Sequence, residues 1–190
     1  EKHSIPFAAG VLITVSLVGL LPEAVDLFGE SAFVIVLATF MSAYIFEHSL
    51  FGIHHHGEHR HGKDFKSAIP LVLFGDTIHN FIDGVAIGAS YFVSPGLGLI
   101  TAISTFLHEV PHEIGDFGIL LKAGWKKKNI LFTNIISAAT TIFGAFTVFI
   151  FVENNNFLGV LLAVAAGLFL YLGASDFLPQ IESIKGSQVK

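Results

Sequence analysis

Six long apolar runs divide this chain, and their length limits the folds that it can adopt. They cover approximately residues 5–24, 32–53, 68–92, 96–121, 130–152 and 157–177, with short polar or turn-rich breaks between them. Each run is about as long as the ~20 residues that a helix needs to cross a bilayer. A membrane-spanning segment must also satisfy its own backbone polar groups, which a helix does. We therefore predict an all-α, polytopic membrane helix bundle of about six transmembrane helices, forming a single domain over residues 1–190.

The composition excludes several other classes of protein. Hydrophobic residues make up 53% of the chain and charged residues 13%, against about 25% charged residues in soluble domains. We expect the lipid bilayer as a partner and no nucleic acid. The formal net charge of −5 itself says little about nucleic acid, because most acidic residues lie within or beside the apolar runs. The chain has no cysteine, which excludes disulfides and thiolate metal ligands. Pro22 and Glu23 stand where a signal sequence would have a small-residue cleavage site, so we interpret the first run as a span.

The basic residues give the expected orientation. When the chain crosses the bilayer six times, all ten Lys and Arg residues fall on the same side. The loops on the opposite side carry Asp26, Glu30 and Glu153 and no basic residue. Cytoplasmic loops of membrane proteins are enriched in Lys and Arg. We therefore expect an integral, multi-pass protein of the cell membrane (plasma or inner), with both ends of this segment in the cytoplasm.

The break after the second run is rich in histidine. Residues 54–61 read HHHGEHRH and belong to a predicted cytoplasmic loop over 54–66. One interpretation is a solvated linker with no further role. The other is a weak and labile metal-collecting loop, because His-rich tracts often bind metals. The sequence leaves both interpretations open.

The third run carries a stripe of metal-ligand residues. Asp76, His79, Asn80 and Asp83 are spaced i, i+3, i+4 and i+7, which places them on one face of a helix. His79 and Asp83 lie one turn apart, so both can bind the same ion. Ionisable groups inside a membrane are costly and usually face a partner, a cavity or an ion path.

The fourth run carries a second stripe. His108 and His112 are four residues apart, and Glu109, Glu113 and Asp116 lie beside them. Imidazole and carboxylate donors together suit Zn²⁺, Fe²⁺ or Mn²⁺. A hydrogen-bonded polar seam between two helices would need no metal and is the alternative. Two paired stripes favour a metal site over such a seam.

A proline interrupts the second stripe. Pro111 removes a backbone donor, and its ring clashes with the carbonyl of Leu107. We expect the helix to kink there and to leave this carbonyl free near the ligands. Broken helices beside a cavity are a common feature of ion sites in membranes.

The motifs in these two runs resemble those of the ZIP (Zrt/Irt-like) family of divalent metal transporters. Residues 79–84 read HNFIDG, similar to the family's HNxxDG motif, and residues 108–116 read HEVPHEIGD, similar to the HExPHExGD signature of its LIV-type branch. The resemblance extends over all six runs, including LLPE at 20–23 and DFLP at 176–179. It implies a transmembrane transporter domain, not an enzyme, that moves divalent metal ions towards the cytoplasm.

The resemblance also implies a binuclear metal centre midway across the membrane. By motif position its ligands are His79, Asn80, Asp83, His108, Glu109 and His112. One site would use His79, Asp83, His108 and His112, and the second would use Asn80, Asp83, Glu109 and His112. Zn²⁺ is the expected substrate, with Fe²⁺, Mn²⁺ and Cd²⁺ as alternatives, and a homodimer is a further expectation.

Further polar residues are candidates for the transport path. They are Asp76, Glu113 and Asp116 beside the central ligands, Asn134 and Ser137 on the fifth run, Glu47, His48 and Asp176 near the predicted exit, and Glu23 near the predicted entrance. The family usually has eight spans, so we expect its first and last helices to lie outside these residues. Gly19 stands where the family often has His, and Gln180 replaces a Glu. These departures affect the entrance and the exit, not the central site.

An enzyme remains the competing interpretation. Residues 108–112 match HExxH, in which two His bind zinc and the Glu acts as general base. A membrane-embedded zinc metalloprotease is therefore the alternative function. Against it, Pro111 disturbs the helix turn that should align the two His. The facing helix also offers a full ligand set, whereas a catalytic zinc needs three protein ligands and an open position.

Overall fold

The structure, a computed structural model, describes residues 4–50, 63–150 and 153–179. Within these ranges the side chains at positions 4, 47–50, 63–68, 71–72 and 176 are not described. The described part of the chain is helical apart from a few turn residues and contains no strand. The predicted all-α class is confirmed.

Six helical rods make up the described part of the chain, and each corresponds to one predicted span. The first rod runs from α1 (Ser4–Thr14) through a π-helical segment, π1 (Val15–Leu20), into α2 (Leu21–Phe28). The next four rods are α3 (Ser31–Leu50), α4 (Lys63–Val93), α5 (Pro95–Lys122) and α6 (Lys127–Val148). The last rod is α7 (Asn155–Tyr171), which continues as a second π-helical segment, π2 (Leu172–Phe177).

Two features of the helices bear on the expectations from the sequence. α4 begins at Lys63, so residues 63–66 of the predicted loop are helical. The remainder of the His-rich loop, residues 54–62, lies outside the described residues. α5 runs as one helix through Pro111, although this proline donates no hydrogen bond to the carbonyl of Leu107.

Three of the described helical stretches are long and apolar enough to cross a membrane. They are Ile5–Phe28, Lys127–Val148 and Asn155–Ser175, and a shorter apolar helix covers Ser31–Phe46. α4 and α5 are long, at 31 and 28 residues, but their polar and ionisable side chains lower their mean hydropathy. Such helices are expected to turn these side chains towards the inside of a bundle. The fold is therefore that of a polytopic membrane bundle.

Local chemistry explains where the rods begin and end. The Ser94 hydroxyl accepts the backbone N–H of Leu97 at 3.2 Å, and the Asn154 side chain accepts that of Phe157 at 3.0 Å. Both bonds satisfy amide donors that a helix start leaves without a partner. Gly124 follows α5 with φ 88°, a conformation that glycine adopts without steric cost. These caps separate α4 from α5 and α5 from α6 with short turns.

α4 and α6 approach one another at backbone distance. A Cβ atom at Gly84 would overlap the carbonyl of Thr141 on α6, and one at Gly144 would overlap the carbonyl of Phe81 on α4. Small residues allow such contact, and in a membrane close packing replaces the hydrophobic effect as the main force between helices. α4 and α6 therefore form one closely packed pair. α7 lies between the first rod, α3 and α4 and supplies much of the buried core, including Leu162.

Removing one buried hydroxyl should weaken the contact between the first and last rods. Ser16 in π1 donates to the carbonyl of Ala166 in α7 at 2.7 Å, and its side chain is buried. We expect Ser16→Ala to lower the free energy of unfolding by about 0.6–1.7 kcal/mol, which are the average and the maximum measured for hydrogen bonds between membrane helices. Thr14→Ala is the matched control, because the Thr14 hydroxyl bonds only to Gly10 of its own helix. Reversible unfolding in micelles measures the free energy of unfolding of both variants. Equal losses of this free energy in Ser16→Ala and Thr14→Ala would show that the Ser16 hydroxyl does not stabilise the contact between the two rods.

Candidate metal centre

The two ligand stripes face one another where α4 and α5 pack together. α4 and α5 are joined by a short turn and run antiparallel, so residues near their midpoints lie at the same level of the bundle. His79 and Asp83 on α4 thereby meet His108 and Glu109 on α5. The helical spacing places each pair on one face, and the packing of α4 on α5 brings the two faces together.

Four donor atoms converge in a central cluster formed by His79, Asp83, His108 and Glu109. The His79 Nε2 atom lies 3.2 Å from His108 Nε2, 3.0 Å from Glu109 Oε1 and 3.8 Å from Asp83 Oδ2. The His108 Nε2 atom lies 3.1 Å from Asp83 Oδ2 and 3.7 Å from Glu109 Oε1. The two carboxylate oxygens lie within 4.8 Å of one another.

These separations fit the ligand shell of a small divalent cation. Nitrogen and oxygen ligands bind zinc at about 2.0–2.2 Å, so four tetrahedral ligands stand about 3.3–3.6 Å apart. The five separations in the central cluster run from 3.0 to 3.8 Å and bracket that value. One ion at the centre of the cluster could therefore reach all four atoms without a large rearrangement.

Two oxygens of the central cluster are buried without a hydrogen-bond partner. These are Asp83 Oδ2 and Glu109 Oε1, although each lies close to an imidazole nitrogen. Their short distances therefore do not correspond to well-aligned hydrogen bonds. A buried polar atom without a partner is costly and calls for a physical reason. Alignment of these oxygens on a shared cation supplies one.

The orientation of His108 is fixed by groups outside the two stripes. Its Nδ1 atom lies 3.1 Å from the carbonyl of Ser104, one turn back on α5. A proton on Nδ1 donated to that carbonyl leaves Nε2 free as a ligand, which is the usual arrangement in metal sites. The rings of Phe169 and Phe177 contact the imidazole edge-on, with centroids 5.7 and 6.5 Å away. The sequence did not distinguish these two Phe from the other aromatic residues of the apolar runs.

His112 lies in a second donor group, not in the central cluster. Its Nδ1 atom is 3.8 Å from Asp76 Oδ1 and 4.0 Å from Asp116 Oδ2, and the three residues form a group of potential ligands. By motif position, His112 shares a ligand set with His79 and His108. In the structure, Glu109 instead of His112 lies beside these two imidazoles. Asp76 also belongs to a third group, with Glu109 and Glu113.

Asn80 and the fifth rod form a polar network beside the donors. The Asn80 amide nitrogen donates to Asp76 Oδ1 at 3.1 Å and to the Ser137 hydroxyl at 3.4 Å. Its oxygen accepts the Thr141 hydroxyl at 3.1 Å. The network ties α4 to α6 next to the donor groups and orients Asp76. Ser137 therefore contacts Asn80. Its predicted role beside a second metal site requires such a contact.

The remaining predicted path residues lie elsewhere. Asn134 on α6 donates to a carboxylate oxygen of Glu113, which holds that side chain towards α6. Glu23 lies in the first turn of α2 and takes part in none of the donor groups among the described residues. Glu47, His48 and Asp176 were predicted near the exit, and their side chains lie outside the described residues.

Comparisons with known proteins agree with the motifs. A family model described as ZIP zinc transporter matches residues 57–189. Zinc transporter ZIP4 of Mus musculus is 41% identical over 115 residues, which is 60% of this chain and 17% of that protein. Zinc transporter ZIP10 of Homo sapiens is 39% identical over 132 residues, 66% of this chain and 16% of that protein. Zinc transporter foi of Drosophila melanogaster is 37% identical over 113 residues, 60% of this chain and 16% of that protein.

The matches cover more than half of this chain but only a small part of each relative. The family model covers the four rods α4 to α7, which include all the donor groups of the described residues. The chain itself spans less than a fifth of the length of these curated relatives. No solved structure shows a significant match to the chain.

Proposed function

Because the chain belongs to the ZIP zinc transporter family, in its LIV-type branch, we propose that it moves divalent metal ions, and zinc first, across a membrane. One observation carries this proposal. Two imidazole nitrogens and two carboxylate oxygens converge within 4.8 Å of one another between α4 and α5. Such groups are costly inside a membrane unless they bind an ion or pair with one another.

The central cluster is the proposed transport site. His79, Asp83, His108 and Glu109 would take the place of the water molecules that surround the ion in solution, and His108 is held ready by Ser104. A second ion would complete the binuclear centre implied by the motifs. Asn80 and His112 are its proposed further ligands, with Ser137 and Asn134 beside them on α6. The mixture of nitrogen and oxygen donors suits zinc and also accommodates Fe²⁺, Mn²⁺ or Cd²⁺.

The proposed direction is towards the cytoplasm. Lys63 begins α4 and Lys122 ends α5, and the positive-inside rule places these ends in the cytoplasm. The donor groups continue from the central cluster towards those ends, through Asp76 and Asp116. We propose that residues 1–190 form one transporter domain in the lipid bilayer of the cell membrane. The homodimer stays a prediction.

The metalloprotease alternative is not favoured. The curated relatives carry transporter names, and the second His of HExxH, His112, lies with Asp76 and Asp116 instead of beside His108. A hydrolytic zinc needs three protein ligands and one open position for water. The central cluster instead offers four protein donors to one ion, an arrangement that suits holding an ion more than activating a water molecule.

Uptake of radioactive zinc into proteoliposomes tests the proposed function. We expect the chain to take up zinc above the level of protein-free liposomes, because the donor groups compensate the ion for its lost hydration. His79→Ala/His112→Ala should return uptake to that level, since it removes a donor from each of two groups. Asp26→Asn is the matched control: it neutralises an acidic residue at the exposed end of α2 and should leave uptake unchanged. Zinc uptake that survives the double substitution would refute the proposed site, and no uptake by a version of the chain with the family's first and last helices restored would refute the function.

A further inference from the structure

We propose that an anionic phospholipid binds in the cleft between α5 and α6, with an acyl chain along the cleft and its phosphate headgroup against the lysines of the turn that joins these helices. The lysines are Lys122, Lys126, Lys127 and Lys128. This inference requires only that the bundle spans a membrane. It therefore goes beyond the proposed transport of metal ions and does not depend on it.

The cleft between α5 and α6 is apolar and open to the outside of the bundle. Its volume is about 410 Å³, within the ~300–1,000 Å³ of typical ligand sites. Ile114 on α5 is 56% exposed, and Leu131 and Ile135 on α6 are 58% and 60% exposed. The two polar residues of the cleft, Glu113 and Asn134, hydrogen-bond to one another. In a bilayer, such a cleft meets the acyl chains of lipids.

The turn at one end of the cleft carries positive charge without a counter-ion. All four lysines are exposed, and none of them forms an ion pair within the described ranges of the chain. α6 begins at Lys127 and has no acidic residue in its first turn. Cations are unfavourable at a helix N-terminus, whereas anions are stabilised there. A phosphate group at this turn would supply the missing negative charge.

The lysines and the cleft follow one another along a single face of α6. That face carries, at positions i, i+4, i+7 and i+11, Lys127, Leu131, Asn134 and Ala138. The helix rises about 16–17 Å between the first and the last of these residues. This length is close to half of the ~30 Å hydrocarbon core, which is the share of one leaflet. A phospholipid with its phosphate at the lysines can therefore extend an acyl chain along the whole cleft.

Trp125 indicates that this turn lies at the level of the headgroups. It packs against a buried cluster that includes Leu120 and Ile130, and Phe117 of the cleft wall packs against the same cluster. Trp side chains are enriched at the interface between membrane and water. The positive-inside rule assigns this end of the bundle to the cytoplasmic side, where anionic lipids give the leaflet its negative surface potential. The charge of the turn is complementary to that leaflet.

Quenching of Trp125 fluorescence by brominated lipids tests this inference, because the chain has no other Trp. The chain is reconstituted in phosphatidylcholine vesicles that contain increasing fractions of brominated phosphatidylglycerol or brominated phosphatidylcholine. We expect the anionic lipid to occupy the site at least tenfold more readily. Lys126→Gln/Lys127→Gln/Lys128→Gln should abolish this preference, because the phosphate loses its counter-charges. The matched variant Lys126→Arg/Lys127→Arg/Lys128→Arg keeps these charges and should keep the preference.

A second pair of variants tests the acyl chain. Ala138→Phe fills part of the cleft and leaves the lysines in place, so it should lower occupancy by phosphatidylglycerol at least tenfold. Ala139→Phe is the matched control, because Ala139 is also exposed but does not line the cleft. This control should bind the lipid as the unchanged chain does. Both substitutions are at exposed positions, so both variants should fold.

Four outcomes would overturn the inference. The first is equal quenching of the unchanged chain by the two lipids. The second is a preference for phosphatidylglycerol that survives Ala138→Phe, since the cleft would then hold no acyl chain. The third is relief of quenching by inorganic phosphate, which would assign the lysines to a free anion. The fourth is loss of the preference when the family's first and last helices are restored, which would assign the cleft to a helix. Zinc uptake is measured separately, so none of these outcomes would refute the proposed function.

Discussion

Replacing His108 with alanine should lower the zinc affinity of the chain by at least about 100-fold, more than the 10–100-fold that loss of a supporting residue costs. His108 Nε2 lies within 3.1–3.7 Å of donor atoms from all three other members of the central cluster. Its ring is already oriented by the Ser104 carbonyl, so little orientational freedom is lost on binding. The expected change corresponds to about 2.8 kcal/mol of binding free energy.

Competition with a zinc-chelating dye measures the affinity of the chain in micelles. Thr105→Ala is the matched control, because Thr105 is the next polar residue back on α5 and its buried hydroxyl has no hydrogen-bond partner. This control should bind zinc as the unchanged chain does. A thermal unfolding transition must be present in both variants, so that lost affinity reports the ligand and not the fold. An affinity within threefold of the original for a folded His108→Ala chain would show that His108 is not a ligand.

Gly144→Ala should destabilise the bundle, because a Cβ atom at this position meets the backbone of α4. The added carbon would overlap the carbonyl of Phe81, and it would lie 3.0 Å from the backbone nitrogen of Val85. Backbone atoms cannot rotate away, so α4 and α6 would have to separate. Overpacking of this kind costs about 1–3 kcal/mol and sometimes more, and we expect a loss at the upper end of that range.

Unfolding of the two glycine variants in micelles provides the comparison. Gly10→Ala is the matched control, because no atom lies within 4 Å of a Cβ placed at Gly10 in α1. Alanine there should be neutral or stabilising by up to about 1 kcal/mol, as expected from helix propensity. Equal stabilities for Gly144→Ala and the unchanged chain would mean that the two helices do not meet at this glycine.

The sequence was sufficient for the helices and for the two stripes. Apolar runs of spanning length predicted the rods to within a few residues. The spacing of Asp76, His79 and Asp83 follows the helical repeat, so their common face needed no tertiary information. The same rule places His108, His112 and Asp116 on one face of α5. Periodicity within a helix is set by local geometry, which the sequence carries directly.

The partners across the two helices could not be predicted in the same way. Whether Glu109 or His112 meets His79 depends on the rotation of α5 about its own axis and on its shift along α4. Both are set by contacts between residues far apart in the sequence, such as those of α5 with the first rod. The contacts of Phe169 and Phe177 with His108 likewise depend on how α7 packs. Nothing in the local sequence of the last rod indicated that Phe169 and Phe177 would contact His108.

The thickness of the membrane should influence the depth of the central cluster. α6 exposes large apolar side chains over much of its length, including Phe132, Phe143 and Phe146. In the proposed bilayer, a mismatch between this apolar length and the hydrocarbon thickness carries a cost that shifts the height of α6. The backbone contact at Gly84 and Gly144 makes α4 follow α6. Lipids with shorter or longer chains would therefore raise or lower the donor atoms on α4 relative to the water on either side.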